Sequence, residues 1–196
     1  MGFSRDNKLA KEVRGNNPNT KIIDIGCSMG KLEGAIGIDL RAHPHLDKSL
    51  TTDIIGNIND PFPIKSNSFD LILANNIIEH VQNVVTTMEE IHRIGKKNSL
   101  VVIRTPHFSH PESYRDPTHR WNFTWETFDY FIEGDPKSSM YTDRKFKYQK
   151  KELRFGSGFN GKIGRLISKL SMRRYEKYYC KSYPSNGIYC LLKTIK

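Results

Sequence analysis

Ser28 stands in the run Gly26-Cys27-Ser28-Met29-Gly30, directly after the apolar stretch "KIIDI" at 21–25. Two chemistries suit these residue types at this spacing. G-x-S-x-G is the pattern of a serine nucleophile raised on a sharp strand-to-helix turn, with Asp116 and His119 following in chain order as acid and imidazole. The alternative uses the backbone: Gly26 and Gly30 let the chain curve tightly and expose amide groups without side-chain obstruction. Asp39, at the end of the next apolar stretch, then offers a carboxylate to both hydroxyls of a ribose. That arrangement holds a nucleoside.

The spacing after Ser28 separates the two. A nucleophile elbow is followed by a helix, yet the next strand candidate begins at Ala35 and residues 27–34 contain Gly30, Lys31 and Gly34. A full helix does not fit there, and no HGGG-type oxyanion segment exists. A nicotinamide dinucleotide would require G-x-G-x-x-G and a helix N-terminus under its pyrophosphate, and both are missing.

Asp24, Gly26, Cys27 and Gly30 resemble the D-x-G-C-G-x-G loop of the class I S-adenosylmethionine-dependent methyltransferases, in particular their type 11 group, and Asp39 resembles that family's ribose-binding acid. "NSFDLILANNIIEHV" (67–81) carries the likeness further, over roughly residues 20 to 130. The resemblance implies S-adenosylmethionine as cofactor and S-adenosylhomocysteine as product. It also implies cofactor contacts from Asp24, Gly26, Cys27, Ser28, Gly30 and Asp39, with Asn57 and Ile58 flanking the adenine and Asn75 beside the methionine portion. Ser28 stands where the family has its middle glycine.

Methyl transfer from a sulfonium is an in-line displacement, so the protein aligns, excludes water and, for a hydroxyl or ammonium acceptor, takes a proton. Candidates lie in "PHFSHPESYRDPTHRWNF" (106–123), which leaves the fifth strand where the resemblance and the crevice rule for open α/β sheets place an acceptor. His119 is the first choice for a base, with Asp116 to orient it and His107 next. His110, Glu112 and Tyr114 lie nearby, while Glu79 and His80 are read as packing beside the cofactor pocket. Spacing along the chain yields no metal set, and none is expected. The resemblance also argues against two acceptors, since the chain has neither an N/D-P-P-Y/F segment nor a cysteine after the fourth strand.

Five near-continuous Ile, Leu and Val runs position these residues: 21–25, 35–39, 52–56, 69–74 and 99–105. Such runs suit strands covered on both faces, hence a Rossmann-like α/β fold with a mostly parallel sheet and helices on both faces. Val84, Val85, Met88, Ile91 and Ile94 recur at helical spacing and form a crossover helix. The first crossover helix is shortened or missing, which bares one flank of the sheet. The segment "DNKLAKEVRG" (6–15) or a partner subunit, such as a second copy of the chain, is expected to cover it. Thr124 reads as the N-cap of a helix over 125–134. A strand over 146–155, a helix over 161–179 burying Leu166, Ile167, Leu170 and Met172, and an antiparallel last strand over 187–196 complete the chain. All 196 residues are read as one domain: an N-terminal segment (1–20), a cofactor-binding core (21–105), an acceptor-side loop and helix (106–135) and a basic C-terminal part (136–196).

The net charge of +10 suggests an acidic partner, and residues 137–181 concentrate Lys, Arg and Tyr in a pattern suited to RNA or an acidic surface. Three cysteines, Cys27, Cys180 and Cys190, with no CxxC spacing speak against a disulfide framework. With no signal-peptide pattern and no transmembrane run, a cytoplasmic location is expected. The reading is a methyltransferase acting on an oxygen or nitrogen atom of a small-molecule or glycan-related acceptor. The alternatives are methylation of structured RNA and a binding module that holds S-adenosylmethionine without turnover.

Overall fold

The computed structural model describes residues 3–15, 17–28, 30–42 and 52–196, with residues 3–5 described by backbone alone, so Met29 of the glycine loop lies outside it. Among the described residues seven strands form one sheet: β1 (Ile22–Ile25), β2 (Ile36–Asp39), β3 (Ile54–Ile55), β4 (Phe69–Asn75), β5 (Gly95–Thr105), β6 (Lys145–Arg154) and β7 (Gly187–Ile195). Their order is β3-β2-β1-β4-β5-β7-β6. β1 pairs in parallel with β2 and β4, β2 with β3, and β4 with β5. Only β7 is reversed, antiparallel to both β5 and β6.

Period-two alternation sends neighbouring side chains to opposite faces, and both faces are buried. Ile23, Ile25, Ile72, Ala74, Val101 and Ile103 pack against Met88, Ile91 and Ile94 of α2 (Val84–Ile94). Asn83 caps that helix, its side chain accepting from Thr86 N at 3.1 Å. On the other face Ile22, Leu71, Leu73 and Val102 pack against Leu9, Ala10 and Val13 of α1 (Phe3–Arg14) and against Leu32 and Ala35. Burying each such Ile or Leu contributes about 1.5–3 kcal/mol. The N-terminal segment therefore covers the bared flank. The described residues of 26–35, all but Met29, contain turns and no helix, as their length requires.

Two expectations for the second half are corrected. Residues 125–134 hold a 3₁₀ turn, Thr127–Phe131, instead of a helix capped by Thr124. The Thr124 amide donates to Thr127 Oγ1 at 3.0 Å, and the turn sends both Phe128 and Phe131 into the core. Residues 161–179 are likewise not one helix. α3 (Glu112–Arg115) lies in the acceptor-side loop; then α4 (Phe159–Leu170) ends at extended Ser171, and α5 (Met172–Arg174) leads into a π-turn at Tyr175–Tyr179.

The face that α4 buries also differs. Leu166 is 61% and Leu170 79% exposed, whereas Gly164 and Ser168 are buried. The reason is close approach: a Cβ at Gly164 would stand 2.7 Å from Phe155 Cε1 and 2.8 Å from the Tyr183 carbonyl oxygen. Small residues are needed where α4 meets Phe155 and Tyr183, with Ile163 and Ile167 half-buried beside them, while Leu166 and Leu170 turn out.

Candidate active site at the carboxyl ends of β1, β2, β4 and β5

After β1 the chain turns through Gly26 at φ +66° and Ser28 at φ +45°, both left-handed. Glycine is required at 26, since a Cβ there would lie 2.4 Å from Ile77 Cγ1. Three carboxylates hold the loop. Asp39, at the tip of β2, accepts from Ser28 N at 2.8 Å. Asp24, buried in β1, accepts from Leu32 N at 3.0 Å. Burial pushes its pKa up to about 6, with the Leu32 amide opposing. Asp53 accepts from Lys31 Nζ at 2.6 Å and Gly37 N at 2.7 Å. Sequence reading missed Asp53, a lone acid before an apolar run that belongs to no motif.

The remaining predicted cofactor residues have defined surroundings. Cys27 is buried with its thiol pushed up to about 11 by burial, 3.9 Å from Thr52 Oγ1, and Gly30 N donates to the Cys27 carbonyl at 3.1 Å. Asn57 Oδ1 accepts from Asn59 N at 3.1 Å, and Ile58 packs on the core. Asn75 is engaged on the α1 side, donating to Asp6 Oδ2 at 3.3 Å and accepting from Arg104 Nη1 at 2.6 Å, while Arg104 pairs with Asp6 through both guanidinium amines. A cofactor contact from Asn75 has to be added to these bonds.

β4 leads into a 3₁₀ turn, Ile78–His80, and the loop after β5 returns to it. Arg120 N donates to the Glu79 carbonyl at 2.8 Å, Trp121 Nε1 to the Val81 carbonyl at 2.7 Å, and Phe108 N to the Phe123 carbonyl at 2.9 Å. These bonds bring His119 to His80, edge to face with ring centroids 4.6 Å apart. Glu79 is 1% exposed, and burial pushes it up to about 7 against smaller opposing pulls from its own amide and the Thr105 hydroxyl. Beside the turn lies a slot of about 300 Å³ lined by Val84, Val85, Trp121, Phe123, Phe131 and Tyr141, among others.

The expected partnership of Asp116 with His119 takes a different form. Asp116 Oδ1 accepts from Thr118 N at 2.8 Å and Thr118 Oγ1 at 2.6 Å, and Thr118 Oγ1 in turn lies 2.8 Å from His80 Nδ1. Asp116 thus orients His80, while His119 Nδ1 faces the Ser113 carbonyl at 3.3 Å. His107 is fully buried, with Nδ1 2.7 Å from Ser109 Oγ and Nε2 2.9 Å from Glu176 Oε1. Among the described residues no helix follows Ser28 before β2, and the imidazole proposed for a hydrolase triad is paired with His80.

A family model described as a methyltransferase domain matches residues 23–103. Over that span, which is less than half of the chain, the sequence is similar to the methyltransferases. The match indicates a methyltransferase domain, the kind of enzyme for which S-adenosylmethionine is the cofactor. The whole sheet also has solved counterparts. A SAM-dependent methyltransferase from Archaeoglobus fulgidus aligns over 98% of this chain and 94% of its own, at 15% identity and a TM-score of 0.58. The YcgJ protein from Bacillus subtilis aligns over 98% and 99%, at 12% identity and a TM-score of 0.62. A phosphoethanolamine N-methyltransferase from Haemonchus contortus, in complex with phosphomonomethylethanolamine and S-adenosylhomocysteine, aligns over 97% and 52%, at 13% identity and a TM-score of 0.58. At these identities the structures speak for the fold. No curated protein sequence matches the chain.

The loop after β1 suits S-adenosylmethionine chemically. A left-handed turn without a side chain at Gly26 and an acid at the tip of β2 are what an adenosine needs: a close main-chain approach and an acceptor for two hydroxyls. All three cysteines are free thiols. Among the described residues no helix is long and apolar enough to cross a membrane.

Proposed function

We propose that the enzyme methylates an oxygen or nitrogen atom of a small-molecule or glycan-related acceptor held between the turn after β4 and the loop after β5. One observation carries this reading. Ile77 abuts Gly26 and leads directly into Glu79 and His80, so the cofactor loop and the residues that meet His119 share one wall. The adjoining aromatic slot has the volume of a small ligand's apolar part.

In this reading Asp39 holds the ribose, the Gly26–Gly30 turn lies against the methionine portion, Asn57 and Ile58 border the adenine, and Asp24 and Asp53 brace the loop. The cofactor, when bound, supplies an electrophilic methyl on a sulfonium. The chain orients the acceptor, excludes water through the Trp121 and Phe123 side, and offers His119 for the proton the acceptor loses. His107 anchors the loop to Glu176 and takes no part in proton transfer. One sheet joins the two halves, so residues 1–196 act as one domain. Lys151, Arg154, Arg165 and Lys169 beside Trp125 form the basic face suited to an anionic partner or acceptor group.

Calorimetry with S-adenosylhomocysteine, followed by labelled methyl transfer to fractionated small-molecule and RNA pools, tests the proposal. Label in a nuclease-resistant small-molecule fraction supports it. Cofactor binding without any transfer, or label lost on nuclease treatment, overturns it.

A further inference from the structure

Glu79, His80 and His119 each present one ligand-competent atom, and these atoms lie within 4.8 Å of one another. Their hydrogen bonds fix both imidazole tautomers. The Thr118 hydroxyl gives its one proton to Asp116, so toward His80 Nδ1 it can only accept, and that nitrogen carries the hydrogen. The Ser113 carbonyl also only accepts, so His119 Nδ1 carries the hydrogen as well. With the hydrogen on Nδ1, the lone pair through which either ring can bind a cation is on Nε2.

The carboxylate makes the cluster unusual. Neither oxygen of Glu79 has a hydrogen-bond partner of good geometry among the described residues, although its residue is 1% exposed. A buried carboxylate without partners costs several kcal/mol unless something positive meets it.

We propose that Glu79, His80 and His119 form a two-histidine, one-carboxylate site for a single first-row divalent cation. Two imidazole nitrogens and one oxygen suit Zn²⁺, Co²⁺, Mn²⁺ or Fe²⁺ better than Ca²⁺ or Mg²⁺, which prefer all-oxygen sets. Ligands about 2.1 Å from a tetrahedral ion stand roughly 3.4 Å apart, so the cluster closes by side-chain movements of about 1 Å. Outer partners that orient a metal-bound imidazole are already present: Asp116 through Thr118 for His80, and the Ser113 carbonyl for His119. Both histidines are only half-buried, which leaves an open side for a further ligand.

The cation and a departing acceptor proton would use the same Nε2 of His119. The inference therefore deepens the methyl-transfer reading, on which this consequence alone rests: with the cation bound, His119 holds it in place of acting as the base, and the cation's charge eases loss of the acceptor's proton to solvent. Acceptors that present an oxygen donor are then selected over protonated amines.

The test uses the full chain without a histidine tag, stripped with chelator and titrated with cobalt(II) chloride. Visible d–d absorption saturating at one equivalent, without thiolate charge-transfer bands, is expected. Glu79→Gln, His80→Asn and His119→Asn should each weaken cobalt binding at least tenfold while S-adenosylhomocysteine affinity, read by calorimetry, stays unchanged. Glu79 is buried, so the two histidine variants keep the test open if Glu79→Gln does not fold. No d–d band, or a band of undiminished affinity in His80→Asn and His119→Asn, overturns the site. Cobalt binding without S-adenosylhomocysteine binding would instead sink the cofactor reading and leave the cation site standing.

Discussion

Gly26 and Ile77 meet so closely that the loop after β1 and the turn after β4 share a single packing surface, with 2.4 Å between a would-be Cβ and Ile77 Cγ1. Gly26→Ala meets both this contact and a left-handed φ, the latter alone worth about 1–2 kcal/mol. The variant should lose at least tenfold in S-adenosylhomocysteine affinity and several degrees in Tm. Adding Ile77→Ala should restore part of that stability, because it removes the Cγ1 and Cδ1 contacts and leaves the backbone strain and the 2.9 Å contact with the Ile77 Cβ. Calorimetry and thermal melts of the two variants decide this, and an additive double mutant would contradict the shared surface.

Asp39 does two things that can be pulled apart. Asp39→Asn keeps an oxygen for Ser28 N but gives up the charge that a pair of ribose hydroxyls favours. Cofactor affinity should fall about tenfold or more with little change in melting temperature, since the side chain is half-buried. Asp39→Ala should abolish binding. Unchanged affinity in both would remove Asp39 from the cofactor site.

Arg104 is buried beneath α1 with Asp6 as its charged partner. Removing one member of a buried pair strands the other, at about 3–5 kcal/mol. Asp6→Ala should therefore cost about that much in urea denaturation, and Asp6→Leu with Arg104→Met should recover most of it. A loss below about 1 kcal/mol for the single variant would show that α1 is not docked as described.

Asp24 sets a stability window in pH. Its carboxyl is raised from 3.8 to about 6, mainly by burial, with the Asp6 charge adding and Arg104 and Lys31 opposing. The folded state thus holds this proton more tightly than the unfolded chain. Its contribution is fully present below about pH 4, falls as pH rises to about 6, and is constant above, on the order of 3 kcal/mol in all. Asp24→Asn keeps an acceptor for Leu32 N and should flatten stability across that window. Denaturation curves at several pH values would show it, and an unchanged slope would refute it.

The two sides of α4 should respond oppositely. Gly164→Val forces side-chain atoms into Phe155 and the Tyr183 carbonyl and should cost about 2 kcal/mol or more. Leu170→Ser, on the exposed side, should change stability by less than about 0.5 kcal/mol. Equal losses would restore the buried-stripe expectation.

Unbroken Ile, Leu and Val runs determined from sequence the five parallel strands, the crossover helix at α2 and the missing helix between β1 and β2. A chain of eight residues cannot cross over through a helix, whatever surrounds it. The glycine turn and Asp39 were legible for the same reason: both are local demands of the backbone. Three matters belonged to tertiary structure alone. Residues 6–15 are an ordinary amphipathic segment, and only packing chose them over a partner subunit as the cover for Leu71, Leu73 and Val102. Periodicity marked α4 as amphipathic but could not say which face turns in, because the choice depended on Phe155 and Tyr183 coming too close for anything larger than Gly164. Glu79 and His80 stand far from His119 along the chain, so no spacing rule joins them. Their meeting follows from the loop after β5 hydrogen-bonding back onto the Glu79 carbonyl, a contact between segments that local pattern does not encode.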